Sequence, residues 1–177
     1  TFCLFIAIRH FNAGSSVKAV IASSSWVGML LSLILVHYAS QTGARKSLCG
    51  ALPAVLTGTC IFFAAWMKCL AGFTLLVFIA YMSRSTLTPF LTSIYNDNYP
   101  PDKRGQFLVN PIRLTVTFSI LFSFGASWIL DLNLDNWALV FSLIGLSGLG
   151  KAYAINAMPS TPIERGHLNP FINLKYL

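Results

Sequence analysis

The chain has 177 residues, of which 55% are hydrophobic and 10% are charged. Soluble domains carry about 25% charged residues, and small ones keep much of their surface in water, so this composition excludes both a soluble domain and a disordered chain. The net charge of +7 comes from scattered Lys and Arg residues that form no stripe for a phosphate backbone, which excludes nucleic acid as a partner. A polytopic protein of the lipid bilayer remains.

Apolar runs separated by short polar breaks predict the membrane spans. In chain order they are the end of a first helix over Thr1–Ile8, then Val17–Tyr38, Ser47–Met67, Leu70–Tyr95, Phe107–Leu130 and Trp137–Met158. The first run is too short to cross a bilayer, which takes about 20 residues, so we expect a piece of a longer protein. The sequence thus predicts an all-α bundle of six transmembrane helices over residues 1–158, the first truncated, and a cytoplasmic linker over residues 159–177.

Basic residues in the breaks predict the orientation of the bundle. The breaks after the second, fourth and sixth spans carry Arg45, Lys46, Lys103, Arg104, Arg165 and Lys175, whereas the opposite breaks carry only Arg9, Lys18 and Lys68. Positively charged loops stay in the cytoplasm. We therefore expect a multi-pass protein of the cytoplasmic membrane, with the more basic side inside the cell.

Two spans carry small residues at helical spacing. These stripes are Ser24, Gly28 and Ser32 on the second span and Ser119, Ser123 and Ser127 on the fifth. Small residues on one face let helix backbones approach closely in lipid. The stripes predict helix packing, either within this bundle or against a partner bundle that slides or rocks.

Three cations, Arg84, Arg113 and Lys151, fall inside predicted spans, while every acidic residue falls in a predicted loop or in the tail. A charge in the hydrocarbon region costs a few kcal/mol, so such residues usually face a cavity or a partner. Three interpretations stay open: the side chains reach the interface, their acid partners lie in another part of the protein, or they line a water-filled cavity for an anionic substrate.

No residue pattern indicates an enzyme, a cofactor or a metal site. The histidines and cysteines are scattered without catalytic or metal-ligand spacing: His10, His37, His167, Cys3, Cys49, Cys60 and Cys69. A Gly-rich phosphate loop is also missing from the sequence. Two Asn-Pro pairs are followed by Ile112 and Phe171, not by the alanine that water channels carry there.

The break between the second and third spans resembles a known signature. The segment from Val36 to Lys46 is similar to the loop Gly-x-x-Ala-Asp-Arg-x-Gly-Arg-Lys-Lys of the major facilitator superfamily. Its matching residues are Ala39, Gly43, Arg45 and Lys46. Ser40 stands where the family has its acid.

Further features follow in the order that this family has. Arg84 lies in the fourth span, where the family often carries an intramembrane Arg. Pro100, Arg104 and Gly105 resemble its loop between helices four and five. The segment Asn169-Pro170-Phe171 resembles the approach to helix seven. The resemblance covers nearly the whole chain, as the N-terminal six-helix half.

The resemblance implies a secondary active transporter that moves a small solute by alternating access, with a second six-helix half as its partner. In that scheme Ser40, Gly43, Arg45 and Lys46 form a cytoplasmic gating loop, and Arg84 lines the cavity and acts on the substrate or a coupling ion. The three cations favour an anionic substrate. Two alternatives remain at this point: a channel or pore protein, and a membrane scaffold subunit that transports nothing.

Overall fold

The computed structural model describes residues 2–133 and 136–163. Over these residues the chain forms six helices, which are α1 (Phe2–Arg9), α2 (Ser15–Thr42), α3 (Lys46–Ala64), α4 (Leu70–Asn98), α5 (Arg104–Leu132) and α6 (Trp137–Ala157). One isolated antiparallel bridge joins Arg45 to Pro162. The all-α class predicted from the apolar runs is confirmed.

Five of the six helices, α2 to α6, are long and apolar enough to cross a membrane, as expected of a multi-pass membrane protein. Several helices extend beyond the predicted spans. Helix α4 has 29 residues and is therefore about 43 Å long, against a hydrocarbon core of about 30 Å. Ser40, predicted in a loop, lies in the last turn of α2, because the helix continues through these polar residues until Gly43.

Gly43 ends α2 with a left-handed backbone, at φ 63° and ψ 22°. A side chain at this position would be strained, so glycine is the residue that fits the turn. Only Ala44 separates this cap from Arg45, the N-cap of α3. The predicted gating loop is therefore a tight turn between two long helices.

Glycines set the closest contacts between helices. A Cβ atom on Gly28 of α2 would collide with the backbone of Met82 in α4. A Cβ on Gly145 of α6 would lie 2.7 Å from the backbone nitrogen of Phe62, and one on Gly148 would lie 2.9 Å from the Cα of Gly58. The pairs α2–α4 and α3–α6 therefore pack backbone against backbone, as small residues allow in membrane bundles.

A proline inside α3 adds a polar link to α4. The Pro53 ring prevents one helical hydrogen bond, and the Pro53 carbonyl accepts from the Thr57 hydroxyl at 2.8 Å and from the Ser83 hydroxyl of α4 at 3.1 Å. Hydroxyl groups commonly satisfy backbone groups near a proline in a membrane helix. These bonds fix α3 and α4 at the depth where the cavity described below opens.

A cluster of aromatic rings lies at the end of the bundle where α4 and α6 begin. Phe11, Phe73, Trp137 and Phe141 surround one another there with ring centroids 5.0–5.9 Å apart. Helix α5, by contrast, is exposed along most of its length, with Ala126 and Leu130 buried near its end. The bundle thus has a tight aromatic core at one end and an apolar helix with an uncovered surface at one side.

Candidate functional site

Arg84 lies at the centre of α4, since that helix runs from Leu70 to Asn98. The rise of an α-helix places it roughly 21 Å along the axis from either end. Its side chain is exposed on the surface of the bundle, and no hydrogen bond or ion pair joins it to another residue that the structure describes. A guanidinium at this depth with all its N–H donors free is available to a ligand.

A cavity of about 350 Å³ opens beside Arg84, between α3, α4, α5 and α6. Its polar lining comes from Thr57, Arg84, Ser119, Ser147 and Lys151. We call this space the polar cavity. Its lining, as far as the structure describes it, contains two cations and no acid.

The two cations come from different helices. Lys151 lies in the last third of α6 and, like Arg84, forms no hydrogen bond or ion pair with any described residue. Two like charges that line one cavity repel each other. An anion placed between them would offset that repulsion and accept hydrogen bonds from both side chains.

The hydroxyl groups of the polar cavity already donate to backbone carbonyls. Ser119 donates to Thr115 at 2.7 Å, Ser147 donates to Ile144 at 2.7 Å, and Thr57 donates to Pro53. Each hydroxyl has one proton. In this arrangement the free donors of the cavity are therefore the two cationic side chains, and the hydroxyl oxygens can only accept.

A second cavity of about 220 Å³ adjoins the first. Its apolar lining includes Phe2, Ile61, Phe141 and Ile144, and we call it the apolar cavity. Four residues line both cavities, namely Thr57, Ile61, Arg84 and Ile144. Arg84 therefore lies at the junction of a polar and an apolar space.

Arg113, the third predicted cavity cation, is placed differently. It lies on the exposed surface of α5 and lines neither the polar nor the apolar cavity. The residue that α5 contributes to the polar cavity is Ser119. Sequence position alone could not show that Ser119 lines the polar cavity and Arg113 does not, because both residues fall within the same apolar span.

The two stripes of small residues have different surroundings. Ser24, Gly28 and Ser32 are buried, and Gly28 faces the α4 backbone. Ser119, Ser123 and Ser127 are exposed and, with neighbouring apolar side chains, line a shallow surface groove on α5. The first stripe thus packs within this bundle, whereas the second leaves a groove open on its surface.

The breaks after α2, α4 and α6 meet at one end of the bundle, around Asp97. The Lys46 ammonium lies 2.8 Å from an Asp97 carboxylate oxygen, and the Thr161 hydroxyl donates to the other oxygen at 2.8 Å. The Ser47 N–H donates to the Ser160 hydroxyl at 3.0 Å. We call Lys46, Asp97, Ser160 and Thr161 the Asp97 cluster.

Sequence reasoning missed the role of Asp97. It lies in the last turn of α4, two residues beyond the predicted span, and its partner Lys46 is 51 positions away. Lys46 itself was predicted as part of the gating loop, and it is the first residue of α3. The available signal is an acid just beyond one predicted span, on the same predicted side as the basic break after another span.

The predicted motif between the fourth and fifth spans forms the turn between α4 and α5. The Pro100 carbonyl accepts from the Lys103 N–H at 3.2 Å, and the Arg104 guanidinium donates to the carbonyl of Tyr99 at 3.3 Å. Gly105 has open space around it. Arg104 therefore holds the turn, while no contact among the described residues requires glycine at position 105.

Several predicted features of the tail and of one turn lie outside the described residues. They are Arg165, Lys175 and His167, the segment Asn169-Pro170-Phe171, and Asp135. The described part of the predicted linker, residues 159–163, returns to the start of α3, where the Ile163 N–H donates to the Ala44 carbonyl at 3.0 Å.

Compared with protein-family models, with curated proteins and with solved structures, the chain matches none. The two cavities that meet at Arg84 are the features of the described residues that point most directly to a function.

The orientation predicted from the basic residues can be tested by thiol labelling. Cys69 is exposed at the start of α4 and Lys103 is exposed beyond its end, so the two mark opposite ends of the bundle. We expect an impermeant maleimide to label Cys69 in intact cells. Lys103→Cys, with Cys69 replaced by Ser, should react only after the cells are opened.

Both labelling proteins need serine at Cys3, Cys49 and Cys60, so that each presents a single thiol. Labelling of Lys103→Cys in intact cells, together with protection of Cys69, would reverse the orientation.

Proposed function

We propose that this bundle is one half of a major-facilitator-like secondary active transporter in the cytoplasmic membrane, and that its substrate is a small anionic solute. The observation that carries the proposal is the polar cavity, in which Arg84 and Lys151 have no acid beside them among the described lining residues. Intramembrane cations that face a cavity commonly mark a substrate or ion pathway.

Alternating access needs a second body against which this one moves. We propose that a second six-helix bundle supplies it, and that the exposed stripe of Ser119, Ser123 and Ser127 faces that bundle. The open groove on α5 supports this assignment, because small residues permit close helix contacts that can slide.

The Asp97 cluster supports a role at the cytoplasmic end. Lys46 and Asp97 join the start of α3 to the end of α4, and Thr161 attaches the segment that follows α6. In the proposed transporter this cluster keeps the cytoplasmic ends of α3, α4 and α6 together as one rigid unit. Ser40 adds no charge there, since its hydroxyl donates to the His37 carbonyl at 2.6 Å.

The experiment that tests the proposed function is uptake into vesicles that contain the full-length protein. Small anions (formate, hexanoate, sulfate and phosphate) and small cations of matched size are supplied in parallel. The proposal predicts saturable uptake of at least one anion and no uptake of the cations. Uptake of cations alone would contradict it, because two unpaired cations repel them from the cavity.

The channel alternative predicts a flux that rises linearly with concentration. The scaffold alternative predicts no flux of any solute above that of empty vesicles. Saturation of anion uptake therefore separates the proposed transporter from both.

A further inference from the structure

We propose that the substrate is amphipathic, with an anionic head group bound between Arg84 and Lys151 and a short apolar tail in the apolar cavity. This inference rests on the proposed function and deepens it by naming the class of anion. It selects monocarboxylates and similar organic anions over inorganic anions such as sulfate.

Arg84 lies between the polar cavity and the apolar cavity. Its side chain lines both the polar and the apolar cavity, as do those of Ile61 and Ile144. A head group held by the guanidinium can therefore extend its tail into the apolar cavity without leaving the arginine. A planar guanidinium also fits a carboxylate with two parallel hydrogen bonds.

The walls of the apolar cavity are formed mainly by tightly packed apolar side chains. Phe141 is fully buried at 0% exposure, and Ile61 is 7% exposed, so these side chains are fixed by packing. Besides the shared Thr57 and Arg84, the polar groups among the described lining residues are the Cys3 thiol and the Tyr81 hydroxyl. The cavity thus offers a tail apolar contact and leaves few free polar groups for a hydrated ion.

Inorganic and amphipathic anions would use the two cavities differently. Sulfate could use both cations but would leave the apolar cavity unused, and its remaining oxygens would meet apolar walls at a cost in desolvation. A tail that fills the cavity gains from burial. The expected gain is about fourfold in affinity for each methylene group removed from water, until the space is full.

The experiment measures how anion uptake depends on tail length. Vesicles with the full-length protein receive formate, acetate, butyrate, hexanoate and benzoate, with sulfate and phosphate as inorganic anions. We expect the half-saturating concentration to fall by about fourfold per methylene along the aliphatic series. Sulfate and phosphate should be carried at least about tenfold less well than hexanoate, in line with several methylenes of difference.

Two variants at Ile144 change the size of the apolar cavity in opposite directions. Ile144→Phe should move the preference towards formate and acetate, and Ile144→Ala should move it towards longer tails. Leu143→Phe is the matched control, because Leu143 is 46% exposed on the outer surface of α6 and lines neither cavity. If Ile144→Phe fails to fold, Ile144→Ala still tests the direction of the change.

The outcomes separate the two levels of the proposal. Uptake of inorganic and organic anions with no dependence on tail length would overturn the amphipathic substrate and leave the anion transporter standing. Uptake of no anion at all would overturn both. If Ile144→Ala and the control Leu143→Phe changed the tail preference equally, the apolar cavity would not be the site that selects tail length.

Discussion

Replacing Arg84 by alanine should abolish anion uptake while the protein remains folded in the membrane. Among the residues that line both the polar and the apolar cavity, Arg84 is the one that carries a charge. It forms no hydrogen bond or ion pair with a described residue, so its removal leaves no other described group unpaired. Removing one side of a desolvated charge pair costs about 2–5 kcal/mol, which is about 30-fold or more in affinity. Uptake at low substrate concentration measures the loss.

Two variants make the Arg84 result specific. Arg84→Lys keeps the charge but loses the planar donor pair, so we expect uptake between that of the wild type and that of Arg84→Ala. Lys68→Ala removes a cation from the exposed turn before α4 and should transport normally. Wild-type uptake by Arg84→Ala would remove this arginine from the mechanism.

Replacing Gly145 by valine should prevent the bundle from assembling. A Cβ atom there would lie 2.7 Å from the backbone nitrogen and the Cβ of Phe62 in α3, and the α3 backbone cannot rotate away as a flexible side chain could. Overpacking of this kind costs about 3 kcal/mol or more. We expect the variant to lose the monodisperse peak of the detergent-solubilised protein in size-exclusion chromatography.

Gly150→Val is the matched control for Gly145→Val. It introduces the same side chain into the same helix, where, among the described residues, no atom outside the neighbouring helical backbone lies within 4 Å of the added Cβ. We expect it to retain the wild-type elution profile. If Gly145→Val also eluted as the wild type does, the close contact between α3 and α6 would be wrong.

The helices could be predicted from the sequence because hydropathy is a local property. The predicted bounds of α3 and α6 lie within a few residues of the observed ones. The predicted α2 and α4 are too short, because polar residues at their ends remain helical. Ser40 and Asp97 show the limit: hydropathy assigns them to loops, whereas each continues a helix whose end lies beyond the apolar run.

The site could be predicted only in part. The sequence marks Arg84 and Lys151 as unusual, since charges inside apolar spans are rare, but it cannot show that both line one cavity. It marks Arg113 equally, although that residue lines neither cavity. Partners such as Lys46 and Asp97 depend on how α3 and α4 pack, which no local pattern encodes.

The most direct test of the proposed alternating access is counterflow through the full-length protein in sealed vesicles. Vesicles loaded with an unlabelled anion that the protein carries are diluted into a trace of the same anion in labelled form. Alternating access predicts transient accumulation of label above equilibrium in loaded vesicles, and none in empty vesicles or with Arg84→Ala. Equilibration at the same rate in loaded and empty vesicles, without accumulation, would contradict it and indicate a pore.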